Sequence, residues 1–168
     1  MAASAKEKDY VHLTVEKIKN THPNLSFGVC QVARWEMNYK NGEEMHAFYE
    51  SAREYNADVI IVRLVENCKK AEYDKEVFLE QYEKLISYLN KSQKASIILT
   101  TGFWRHPADD AIRECAAKHH YKLCDLGDLG EQDEMKAIGL FAHSGVANHP
   151  GDLGMEAISN RIYDVLKE

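Results

Sequence analysis

Two stretches, "ADVIIVRLV" (57–65) and "ASIILTT" (95–101), are almost unbroken runs of apolar residues bounded by polar ones. A strand with one wet face alternates apolar and polar side chains, so runs like these fit strands covered on both faces. Between them, Phe78, Tyr82, Leu85, Ile86 and Leu89 recur at helical spacing over 74–90. Strand, amphipathic helix, strand is the repeating unit of a parallel sheet, and it directs the whole reading toward an α/β fold.

The rest of the chain extends that alternation. "SAKE" (4–7) has capping-box spacing and opens a first helix carrying Val11, Val15 and Ile18. "LSFGVCQVA" (25–33) reads as a strand, and Met45, Phe48, Tyr49, Ala52 and Tyr55 mark a helix over 43–55. Pro107 at a first helical position, with Asp109 and Asp110 in the first turn, starts another helix. "YKLCDL" (121–126) is a fourth, short strand, and Met155, Ile158, Ile162 and Val165 line a final helix. The expectation is one domain over 1–168 with a mainly parallel sheet and helices on both faces. Such folds normally open on a strand, and this chain opens on a helix.

Charge and cysteine usage exclude several function classes. The formal net charge is -6 over 168 residues, with no basic block, which argues against a nucleic-acid partner. No apolar run reaches membrane-spanning length, and "MAASAKEKDY" has no apolar core behind its charges. A cytoplasmic location is therefore expected for the chain as it stands, with a longer native form left open to export. Cys30, Cys68, Cys115 and Cys124 form no CxxC pair, so they read as reduced thiols, Cys30 in a strand and Cys115 on an apolar helix face. Neither a metal nor a cofactor is implied.

In open parallel sheets, ligands bind beyond the carboxyl ends of the strands. Those ends carry Arg34, Trp35 and Glu36; then Asn67; then Gly102, Phe103, Trp104 and His106. An Arg–Trp pair at a cleft reads sugars or carboxylates, but an aromatic at a strand end also packs a core. Gly102 could let a substrate approach the backbone, with Trp104 and His106 as walls, or it could serve a turn. Asn67 could donate to a developing oxyanion, or be an ordinary turn residue. The sharper signal is His149, on a loop that also carries His143, followed by Pro150 and a helix. Histidine titrates near neutrality, at about 6.5, and suits general-base work.

Asn67 at the end of a central strand, together with "HPGDLGMEAI" (149–158), resembles the SGNH or GDSL hydrolases. Their C-terminal His stands in an "HP…G…A" block similar to His149, Pro150, Gly154 and Ala157. "MAASAKEKDYVHL" resembles a segment ahead of the first long helix in members related to carbohydrate esterases. The resemblance implies a flavodoxin-like three-layer sandwich and an esterase or acylhydrolase acting on small or carbohydrate esters through a Ser nucleophile. It gives His149 the role of base and Asn67 a place in the oxyanion hole. Three positions depart from the pattern. Val65 stands where the family has Gly, Val146 stands where it has the orienting Asp, and no "GDS" occurs anywhere. Asp152 is the nearest replacement for the Asp, and Ser144 is the weak alternative for the nucleophile, Ser4 reading better as a helix cap. The family's first strand and its Ser lie together ahead of the first long helix, so one missing segment accounts for both. Three readings follow: a hydrolase truncated before its nucleophile, a non-catalytic domain binding a small ligand in the same cleft, or an interaction module that shares a strand with another copy through an unpaired sheet edge.

Overall fold

The computed structural model describes residues 2–168. In chain order the α-helices are α1 (Tyr10–Lys19), α2 (Ala33–Asn38), α3 (Glu50–Tyr55), α4 (Lys75–Leu89), α5 (Asp109–His119), α6 (Ser144–Ala147) and α7 (Asp152–Lys167). The strands are β1 (Val59–Arg63), β2 (Ser96–Thr100) and β3 (Lys122–Cys124), in the spatial order β1-β2-β3. β1 and β2 run parallel, Val59 facing Ser96 and Arg63 facing Thr100. The chain is thus α/β, with a three-stranded parallel sheet and helices around it. Where one domain is expected, it divides into two compact units: Gly28–Leu123, and Cys124–Glu168 together with the residues up to Phe27.

The Gly28–Leu123 unit is organised by β2 and α4. Ile97, Ile98 and Leu99 are buried, as a strand covered on both faces requires, and α4 sinks Phe78, Tyr82, Leu85, Ile86 and Leu89. Asp74 caps α4 by accepting from the Val77 amide at 3.2 Å. Trp35, Tyr39, Phe78 and Tyr82 form one aromatic cluster, with Phe78 stacked on Tyr82 at 5.4 Å between centroids.

Several expected elements differ. The strand over 25–33 does not form: residues 25–32 join no ladder, α2 begins at Ala33, and Val29 is 71% exposed. A strand exists only as the partner of another, and an apolar pattern cannot supply that partner. Cys30 is accordingly exposed rather than held in a strand. β1 is an edge strand, and its Val59 and Ile61 are exposed, so the apolar run at 57–65 is covered less completely than the one at 95–101. The helix expected over 43–55 is a 3-10 helix, Tyr39–Tyr49, kinked at Asn41, followed by α3, and it leaves Phe48 exposed. α5 starts at Asp109, not at Pro107.

In the other unit, α1 is capped by Asp9, whose carboxylate accepts from the His12 amide at 2.9 Å, and not by Ser4. α1 and α7 are tied side by side: the Ser159 hydroxyl lies 3.2 Å from the Thr14 hydroxyl and accepts from Lys17, which also reaches Asn160. α7 buries Met155, Ile158 and Ile162 as the periodicity predicts, with Val165 half-buried.

Candidate functional site

His149 ends a short turn built on α6. The Asn148 amide donates to the Ser144 carbonyl and the His149 amide to the Val146 carbonyl, each at 3.0 Å. The His149 Nδ1 lies 2.7 Å from the Gly145 carbonyl. A carbonyl only accepts, so Nδ1 carries the proton and Nε2 holds the basic lone pair. The ring is exposed, as are His143 and Ser144 on the same turn. From the other side, the Ala137 amide donates to the His149 carbonyl at 2.9 Å, and Lys136 bridges to Pro150. Gly154 makes this possible, because a Cβ there would sit 2.1 Å from the Met135 carbonyl oxygen. The glycine in "HPGDLG" is therefore required by a close backbone approach.

Asp152 does not orient His149. Its carboxylate accepts from the Ser4 amide at 2.8 Å, the Ser4 hydroxyl at 2.7 Å and Lys8 Nζ at 2.6 Å. The Lys8 ammonium, then the two Ser4 donors, hold the Asp152 carboxyl down at about 2. Ser4, expected as a cap, is thus a partner of Asp152, and the group met by His149 Nδ1 is the Gly145 carbonyl.

In the Gly28–Leu123 unit, Asn67 belongs to a nest of donors around a buried carboxylate. Glu36, 4% exposed on α2, accepts from the Val65 amide at 2.6 Å, the Asn67 amide at 3.2 Å and the Asn67 side-chain amide at 2.7 Å. Val65 is fully buried and has φ 124°, a conformation ordinarily left to glycine. The position where the resemblance expects Gly thus has a glycine-like backbone although it carries a valine. The Asn67 backbone N–H and one of its two side-chain N–H donors are engaged by Glu36 in this structure.

The other strand-end residues serve mainly to tie loops together. The Glu66 carboxylate holds Arg63 through two hydrogen bonds and accepts from the Phe103 amide at 3.2 Å. His106 is buried: its Nε2 donates to the Cys68 carbonyl at 3.1 Å and its Nδ1 accepts from the Ala108 amide at 3.0 Å. Burial lowers its pKa, so it stays the neutral tautomer that fits both bonds. The Asp109 carboxylate accepts from the Gly102 and His106 amides at 3.0 and 2.7 Å. A Cβ on Gly102 would meet the Trp104 carbonyl at 2.7 Å, so that glycine serves a tight turn. Trp35 is wholly buried in the aromatic cluster, which removes it from any ligand-facing surface, while Arg34 is exposed with its guanidinium over the Phe48 ring at 4.1 Å. Trp104 is half-buried, edge-on to Phe103 at 5.2 Å.

The structure thus gathers the expected site residues into two groups, one per unit: His143, Ser144 and His149 on the α6 turn, and Asn67, Gly102, Trp104 and His106 on the loops after β1 and β2. Glu36, read from sequence only as part of the "RWE" strand end, turns out to be the centre of the second group. A third group was missed altogether. Among the described residues, Glu83, Cys115 and His119 have ligand-capable atoms within 4.8 Å of one another. The signal for it is the i, i+4 spacing in "CAAKH" (115–119), which puts both side chains on one helix face.

No family model matches the chain, and no curated protein or solved structure matches it either. Among the described residues, no helix is long and apolar enough to cross a membrane.

Proposed function

We propose that this chain is an ester hydrolase scaffold of the SGNH or GDSL type, acting on small esters or acylated carbohydrates, with His149 as general base. The observation that carries the reading is the bond between Nδ1 of His149 and the Gly145 carbonyl. It fixes the tautomer whose Nε2 can take a proton from an attacking hydroxyl. A carbonyl is a weaker orienter than the usual carboxylate and does not neutralise the imidazolium that forms. Turnover should therefore be slow: in a serine protease triad, exchanging the acid for an amide cost roughly 10⁴ in kcat.

The test is hydrolysis of p-nitrophenyl acetate by the chain, by His149→Ala and by Ser144→Ala. Loss in both variants identifies Ser144 as an internal nucleophile. Loss in His149→Ala alone keeps the base and sends the search for the nucleophile elsewhere. A rate that does not depend on His149 sinks the proposal.

A second reading, a non-catalytic domain that binds a small ligand, draws support from Glu36. An oxyanion hole works because its donors wait for charge that develops in the transition state. Donors that already hold a carboxylate do not wait. If Asn67→Ala leaves any His149-dependent rate unchanged, Asn67 is not an oxyanion donor and this second reading gains. The exposed outer side of β1, with Val59 and Ile61, supports pairing with a second copy, which Ile61→Lys should weaken in sedimentation.

A further inference from the structure

We propose that Glu83, Cys115 and His119 form a binding site for a borderline-soft divalent cation of the zinc type, with one coordination position left to water. Cys115 and His119 lie one helical turn apart on α5, and Glu83 projects from the neighbouring α4. Two packed helices fix all three ligands within one unit. The His119 Nε2 is 3.1 Å from Glu83 Oε1, and the three ligand atoms fall within 4.8 Å of one another. Tetrahedral zinc, with bonds of about 2.0–2.3 Å, separates its ligand atoms by roughly 3.3–3.8 Å, so modest side-chain rotation would close the site. A thiolate, an imidazole and a carboxylate together suit zinc better than magnesium or calcium, which take oxygen ligands.

The surroundings are suited to the ion. Cys115 is fully buried, whereas Glu83 and His119 keep 22% and 35% of their side chains exposed, so the open position faces water. Tyr121 stacks on the His119 ring at 5.2 Å and 15° between planes, which restrains its direction. Lys118 Nζ spans both Glu83 oxygens, 2.8 Å from Oε1 and 2.9 Å from Oε2, so an ion at Oε1 displaces it onto Oε2 alone, where it becomes an outer-shell partner. Charge balances: the dication meets one thiolate and one carboxylate, and the imidazole binds through Nε2 as the neutral form. The thiol proton leaves to solvent. A thiol binds a metal only as the thiolate, so binding releases its proton and weakens as pH falls.

The experiment is titration of the full chain with Co²⁺ as a spectroscopic probe, followed by its displacement with Zn²⁺. A Cys30→Ser background removes the exposed thiol. The expected result is a thiolate-to-cobalt charge-transfer band, visible d–d bands of tetrahedral strength, and about one proton released per ion. Cys115→Ser should abolish the charge-transfer band. His119→Ala, an exposed change that leaves the core intact, should weaken affinity by at least the roughly 10–100-fold that loss of an outer-shell partner costs. No charge-transfer band, or a band that survives in folded Cys115→Ser, overturns the site. So does an affinity that His119→Ala leaves unchanged, which would identify a surface ion-pair cluster beside a buried thiol.

Discussion

The α6 turn and the Glu36 nest hold their polar groups in opposite ways. His149 is exposed, and its Nδ1 is held by a backbone carbonyl. Glu36 is buried and held by three N–H donors from the loop after β1. Exposure leaves an imidazole available to a substrate but positions it weakly, whereas burial positions a carboxylate firmly and consumes the donors around it. An accessible group and a group that holds a fold can thus be separated by burial.

The sharpest way to break this contrast is to remove the carboxylate. Glu36→Ala would orphan the Val65 amide, which is buried, and release Asn67. An unsatisfied buried donor costs about 1–3 kcal/mol, and lost packing adds to it, so the expected loss is about 3 kcal/mol in urea denaturation. His149→Ala should stay within about 0.5 kcal/mol of the parent, as exposed substitutions do. Equal costs for the two variants would erase the distinction between nest and turn.

The α6 turn is fragile at its backbone support. Gly154→Ala would drive a methyl to 2.1 Å from the Met135 carbonyl oxygen, and backbone on both sides must shift. We expect a loss of about 2 kcal/mol. Gly145→Ala meets only the His143 ring, which can swing aside, and should cost less. A mild Gly154→Ala would mean that the 135–137 segment is not held as described.

Much of the fold is legible in the sequence, and the missing parts have one cause. β2, α4 and α7 are read correctly because each carries its own period and is covered along its length. The strand expected at 25–33 failed where coverage depends on a neighbour, leaving Val29 in solvent, whereas the helix expected at 43–55 forms but begins as a 3-10 helix and leaves Phe48 exposed. The same holds for the sites. His149 stands out in the sequence through its Pro150 and the helix that follows, and its turn is local, residues 143–149. Glu36 does not, since nothing local says that a charged residue beside Trp35 will be buried and met by donors about thirty residues on. Asp152 misled because proximity in sequence suggested His149, whereas its partners Ser4 and Lys8 lie at the other end of the chain.

Val65 offers a finer test on the nest side. Its φ of 124° costs a valine about 1–3 kcal/mol of strain, and an alanine carries the same penalty. Glycine relieves it at the cost of about 0.5–1 kcal/mol in unfolded-chain entropy, while both substitutions give up the buried side chain. Val65→Gly should therefore be more stable than Val65→Ala by about 1 kcal/mol, reversing the usual order. The usual order, found in denaturant midpoints with equal slopes, would show that the Glu36 bonds hold Val65 without strain.

The smallest effect expected is at Asp152, beside the turn. Its folded carboxyl is held at about 2 by Lys8 first and Ser4 second, below an unfolded value of about 3.9. A lowered folded value stabilises the protein at pH above the unfolded value, and that contribution disappears as pH falls through about 2. Asp152→Asn should thus lower Tm slightly at pH 6, and the gap from the parent should close between about pH 4 and pH 2. Because the side chain is 35% exposed, salt screens the pair, and the contribution stays below about 1 kcal/mol. A gap that persists unchanged at pH 2 would mean that Asp152 acts through neutral hydrogen bonds to Ser4, tying the residues ahead of α1 to α7 without help from the Lys8 charge.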